Sequence, residues 1–227
     1  MRILAFESSA IAASVAYWRD GAQVASAFQA SGLTHSSTLL PMAQSLLANA
    51  GLSMADVDVL AVAHGPGSFT GLRIGVSLVK GLAFERDLPC VGVSTLEALA
   101  NCMPRRDAVL CAVMDARAGQ VYHANFDLSG EVPVRLCEDR AVTLAELREE
   151  LSAIDRPVLL AGDGAHLLTD AGEPVSENLR LQNAYGVARL AARVYAAGGD
   201  FSAAALRPEY LRLPQAERER LAKMRKE

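Results

Sequence analysis

At 227 residues and 24.1 kDa, with 51% apolar residues, the chain can build one large packed domain or two small ones, which excludes a disordered or fibrous protein. Lys and Arg total 22 against 26 Asp and Glu, a formal charge of -4, so the surface as a whole does not attract nucleic acid, and direct tRNA or DNA binding is disfavoured. No apolar run reaches the ~18–20 residues of a membrane span, and MRILAFESSA lacks a signal-peptide core, so a cytoplasmic protein is expected. Cys90, Cys102, Cys111 and Cys137 stand far apart with no C-x-x-C pair, which predicts reduced, buried thiols.

In chain order, residues 2–9 (RILAFESS) read as a buried strand ending in a small polar turn. Ile11 to Trp18 and Ala22 to Phe28 form a hairpin about Asp20-Gly21. Ser36 to Ala50 carry Leu39, Leu40, Ala43, Leu46 and Leu47 at helical spacing, with Gly51 as the stop. Val57 to Ala63 predict a strand buried on both faces, which reaches Gly65-Pro66-Gly67-Ser68. A helix follows from Gly71 to Phe84, its inner face Leu72, Val76, Val79 and Ala83, with Ser68 or Thr70 as cap. Leu88 to Val93 make another strand, and Ser94 or Thr95 caps a helix through Ala100.

After Pro104-Arg105-Arg106-Asp107 the pattern repeats. Ala108 to Asp115, Gln120 to Leu128 and Pro133 to Glu138 are three strands, and Glu7 lies 108 positions before Asp115, as a duplicated unit requires. Thr143 with Glu146 predicts a capping box for a helix to Leu151, and Val158 to Ala161 run into Gly162-Asp163-Gly164. Asn183 to Ala197 is the last long helix, closed by Gly198-Gly199, and Pro208 to Pro214 bracket an extended PEYLRLP. The last eleven residues, ERERLAKMRKE, read as a solvated or frayed helix.

Strand, glycine turn and helix at 57–84 suit an anion cradle, but Gly65, Gly67 and Gly71 form G-x-G-x-x-x-G, one residue too long for a dinucleotide fingerprint, and no Lys-Ser/Thr follows for a P-loop. His35, His64, His123 and His166 give no H-x-x-x-H pair, so no metal is expected; His64 reads as a satisfied polar residue and His35 as a loop residue. Ser68 lacks the G-x-S-x-G context of a nucleophile, which leaves no catalytic residue to name.

A duplicated strand unit with acidic first turns and later glycine turns resembles the actin-like/sugar-kinase-like (ASKHA) α/β fold: two related lobes, here 1–104 and 105–227, each a mixed sheet flanked by helices. That resemblance places nucleotide at Glu7, Ser8, Asp115, Gly162 and Gly164, although Asp115-Ala116-Arg117-Ala118 suits a phosphate loop poorly, and hydrogen bonding of a turn is the competing role for Glu7 and Asp115. HGPGSFTGLRIG, ILAFESS, THSSTLLP and PEYLR are more specific: together they resemble the TsaB (YeaZ) family, the non-catalytic actin-fold subunits of the bacterial machinery that makes threonylcarbamoyladenosine at position 37 of ANN-decoding tRNAs. The family's usual first-turn Asp is Glu7 here.

The resemblance implies a scaffold that activates the catalytic paralogue TsaD as a heterodimer, joined by the ATPase TsaE and served by TsaC. It further implies a homodimer in isolation, tRNA bound through the complex, and ATP or ADP at the complex interface rather than on this chain. The two helices of the first lobe would form the contact, through Leu39, Met42, Leu46, Gly71, Leu72, Arg73, Gly75, Val76, Lys80 and Gly81. Gly71, Gly75, Ser77 and Gly81 keep one flank of the second helix small enough for another helix to approach, and each helix-interior glycine costs ~1 kcal/mol relative to alanine. The alternative is that this flank packs on the chain's own sheet. An independent ATP-dependent small-molecule kinase of the same fold is the competing function, and a peptidase finds no nucleophile or metal set.

Overall fold

The computed structural model describes residues 1–212. Pro214 and the 217–227 tail lie outside them.

The first lobe contains β1 (Arg2–Glu7), β2 (Ala13–Arg19), β3 (Ala22–Gln29), α1 (His35–Asn49), β4 (Val59–Gly65), α2 (Phe69–Ala83) and β5 (Cys90–Ser94). Its sheet runs β3-β2-β1-β4-β5, antiparallel through the hairpin and parallel where helices cross over. After α3 (Thr95–Ala100) come β6 (Val109–Arg117), β7 (Gln120–Asp127), β8 (Val134–Arg135), β9 (Arg140–Thr143), α4 (Leu144–Ser152), β10 (Val158–Ala161), β11 (Glu173–Pro174), α5 (Glu177–Arg180) and α6 (Ala184–Ala197). The second sheet runs β8-β7-β6-β10-β11, with β9 also on β7. Read in chain order, both sheets have the same connectivity, which is the duplication the 108-residue offset predicts.

The predicted helices form where their periodicity puts them. In α2 the inner face Leu72, Val76, Val79 and Ala83 is buried, each large side chain contributing about 1.5–3 kcal/mol. Ser68 caps this helix, accepting from Gly71 N, and Ser94 caps α3. Thr143 and Glu146 complete the capping box of α4. His35, expected in a loop, is the first residue of α1, and its Nε2 lies 2.8 Å from the Ala10 carbonyl.

Packing fixes the layers. α1 and α2 cover one face of the first sheet, where Leu39, Leu46 and Val76 meet Leu4, Phe6 and Tyr17. α6 covers the other face, with Val187, Leu190 and Ala191 on Ile3, Ala61 and Val91. α3 carries Leu96 and Leu99 into the second sheet, against Leu110 and Phe126, and α4 closes the far side with Leu147 and Leu151. A division at residue 104 therefore follows the sheets but not the packing, because α6, expected in the second lobe, belongs to the core of the first. The chain then stays there: Cys90 N donates to Phe201 O and Glu209 N to His64 O. Among the described residues no helix is long and apolar enough to cross a membrane.

Candidate functional site

Between the lobes lies a cleft of about 340 Å³ lined by Ser9, Ser68, Thr70, Asp115, Arg117 and Asp163, with Tyr210 and Arg212 at its mouth. Its two walls are the first turns of the two lobes, built alike. Ser9 N donates to Glu7 Oε1 at 2.6 Å, and Arg117 N donates to Asp115 Oδ1 at 2.7 Å. In each turn an acidic side chain has taken a backbone amide that a bound phosphate could use. Hydrogen bonding of a turn, the competing role for Glu7 and Asp115, is what the side chains do.

Glu7 is fully buried, and burial raises its carboxyl to about 7, with the nearby Asp163 adding to the rise. Its Oε2 has no hydrogen-bond partner among the described residues. Burial also raises Asp163, whose Oδ1 accepts from Gln182 Nε2 at 3.0 Å. Ser8 Oγ donates to Gly71 O at 3.0 Å and so faces α2 rather than the cleft. Gly162 and Gly164 are likewise spent on packing: a Cβ on Gly162 would stand 1.9 Å from Val113 O, and one on Gly164 2.9 Å from Met114 C. Of the five nucleotide candidates only Asp115 lines the open cleft. No group of three or more His, Cys, Asp or Glu side chains among the described residues is arranged to hold a metal.

The glycine turn before α2 is filled by the chain itself. A Cβ on Gly67 would meet Ser9 O at 2.5 Å, one on Gly71 Ser8 O at 2.1 Å, and one on Gly75 Ser8 Oγ at 2.5 Å. Ser68 N donates to Ser9 O at 2.7 Å. The small flank of α2 is therefore a seat for the first turn of its own sheet at Gly71 and Gly75, and open only at Gly81, where a Cβ would meet nothing within 4 Å. Leu39, Leu46, Leu72 and Val76 point into the core and are corrected from the expected contact set, because their apolar side chains fill the space between helix and sheet. Met42, Arg73, Lys80 and Gly81 keep surface. Leu40, counted by periodicity with the apolar residues of α1, is 37% exposed, and Phe84 at the end of α2, which the expected contact set lacked, is 90% exposed, although an aromatic residue at a helix end was a readable signal.

The two most distinctive sequence stretches meet in space. Residues 206–212 form a strap from the first lobe across the cleft mouth. A Cβ on Gly65 would lie 2.2 Å from Glu209 O, and His64 Nδ1 lies 3.1 Å from Arg207 O, which makes His64 the satisfied polar residue expected. Tyr210 packs on Phe69 with ring centroids 4.7 Å apart and accepts at its hydroxyl from Arg73 Nε at 3.0 Å. Arg73 in turn lies 3.9 Å over the Phe69 ring. At the far end Arg212 Nη1 donates to the carbonyls of Ala116 and Arg117 in the second lobe.

Comparison with known proteins agrees with this architecture. The family described as TsaD, tRNA N6-adenosine threonylcarbamoyltransferase, matches residues 29–197. The TsaB protein of Escherichia coli (strain K12), described as a tRNA threonylcarbamoyladenosine biosynthesis protein, is 34% identical over 220 residues, covering 93% of this chain and 95% of that one. Its namesake in Bacillus subtilis (strain 168) is 36% identical over 167 residues, 74% of this chain and 73% of that one. The solved structure of YeaZ from Pseudomonas aeruginosa superposes with a TM-score of 0.80 at 29% identity, over 92% of this chain and 99% of that one. The ethanolamine utilization protein EutJ from Carboxydothermus hydrogenoformans shares the fold alone, with a TM-score of 0.52 at 13% identity over 83% of this chain and 90% of that one. With the duplicated sheets, this places the chain in the TsaB family, an actin-like branch of the wider threonylcarbamoyltransferase family.

Proposed function

We propose that the protein serves tRNA threonylcarbamoyladenosine formation as a non-catalytic subunit that binds and activates a TsaD-type catalytic paralogue. The observation that carries this reading is the outer surface of α1 and α2: Phe84 is exposed at the end of α2, one turn beyond Gly81, whose surroundings are open to an approaching helix, and Leu40 is exposed on α1. Met42, Lys80 and Gly81 are the expected contact residues that remain available, and the same face serves a homodimer when the paralogue is absent. TsaE joins the pair and TsaC supplies the activated group. Nucleotide belongs to the complex interface, since the amides of both first turns are engaged by Glu7 and Asp115.

The test is light scattering of the purified protein mixed with the catalytic paralogue. Gly81→Trp and Phe84→Asp are expected to abolish the heterodimer while the thermal midpoint stays within a few degrees, because both side chains point to open surface. Unaltered association of both variants would overturn the interface.

A further inference from the structure

The negative overall charge conceals one local exception. Arg73 on α2, Arg117 in the turn after β6 and Arg212 on the strap meet at the cleft mouth, and Arg207 is carried on the same strap, although these residues lie up to 139 positions apart in the chain. Three carboxylates are near them, and Asp163, which lines the cleft with Arg117, is partly buried and held by Gln182. Asp115 lies 3.8 Å from Arg117 and is held by the Arg117 amide, and Glu209 lies 3.7 Å from the His64 ring. The Arg117 side chain is 81% exposed, and Arg207 is exposed. Arg117 and Ala118 both hold the left-handed backbone region at φ 67° and 55°, a conformation costing about 1–2 kcal/mol per non-glycine residue, and this turn carries Arg117. Beside these cations is an aromatic platform: Arg73 stacks on Phe69, and Tyr210 keeps 39% of its surface exposed.

Guanidinium groups set around an accessible ring match single-stranded RNA, whose phosphates take the cations and whose unstacked bases take the ring. An acidic protein segment would use the cations but gain nothing specific from the platform. We propose that the strap corner formed by Arg117, Arg207 and Tyr210 is a direct RNA contact, binding a phosphate-and-base segment of the tRNA next to the anticodon loop. This deepens the proposed subunit role and rests on it for the identity of the RNA.

The experiment is fluorescence anisotropy of a fluorescein-labelled anticodon stem-loop RNA, titrated with the isolated protein at low salt and with its complex with the paralogue over a salt series. Arg117→Ala/Arg207→Ala is expected to weaken RNA binding roughly tenfold and to lower the slope of log affinity against log salt by about one to two. Tyr210→Leu is expected to weaken binding with the slope unchanged, and Tyr210→Phe, which keeps the ring, to bind as the wild type. Heterodimer formation by light scattering should survive all three. Wild-type RNA affinity and slope in both the double variant and Tyr210→Leu would overturn the proposal. Loss of the paralogue without loss of RNA binding would also overturn it, as a protein contact. If the wild type fails to join the paralogue, the subunit reading falls, and the isolated-protein titration still decides this one.

Discussion

Gly71 has no room for a side chain, since the first atom of one would stand 2.1 Å from the Ser8 carbonyl, itself part of a buried turn. Gly71→Ala is therefore expected to cost about 1–3 kcal/mol of stability by overpacking, measured as a lower urea midpoint at unchanged slope. A wild-type midpoint would mean that the turn yields freely. The sequence legibly marked Gly71 as a position where something approaches closely, but not what approaches. Periodicity identifies the inner face of a helix; it does not reveal that a turn more than sixty positions earlier seats itself on the flank. For the same reason Glu7 was legible as a strand-end acid, while its complete burial was not.

Two buried groups at this scale oppose each other in pH. Glu7 is raised to about 7 from an unfolded value near 4.3, so its stabilising contribution is full below that unfolded value and is lost as pH rises toward 7. His123 is lowered by burial to about 4, so its contribution is present above about 6.5 and is lost as pH falls toward 4. Between those limits the two slopes offset. Glu7→Gln should make stability rise with pH from 4.5 to 6.5, and His123→Leu should make it fall over the same span, in chemical denaturation run at several pH values. Parallel profiles for wild type and both variants would contradict the assignment of either group.

At the scale of elements, the strap is held at both ends: by His64, Phe69 and Arg73 on the first lobe and by the Ala116 and Arg117 carbonyls on the second. Gly65, at φ 149° against Glu209 O, is the position that lets it lie down. Gly65→Ala is expected to lift the strap, seen as faster hydrogen exchange at the Glu209 amide, while the amides of β1 and β4 stay protected. Exchange unchanged at Glu209 would show that the strap does not depend on this close approach. The extended PEYLR stretch was legible, as was the turn before α2. Their contact was not, because strand and helix patterns are local and 143 positions separate His64 from Arg207.

For the whole molecule, duplication was the most legible feature, since strand offsets repeat and the sheets share one connectivity. The domain boundary was less so. The helix at 184–197 carries an apolar face that suits either sheet, and only packing assigns it to the first. A fragment of residues 1–104 is accordingly expected to lack a cooperative thermal transition, and co-expression with residues 184–227 to restore one by circular dichroism. A cooperative transition in the fragment alone would mean that the first lobe closes without α6.

The return of α6 and the strap to the first sheet also sets an order of events during synthesis. The face carrying Ile3, Ala61 and Val91 emerges from the ribosome early, yet the residues that cover it are among the last translated. At about 5–20 residues per second that apolar face waits on the order of ten seconds for its cover, long enough for the second lobe to collapse first. Completion of the first lobe thus waits for the last part of the chain to be made, and its uncovered face is where a chaperone is expected to bind.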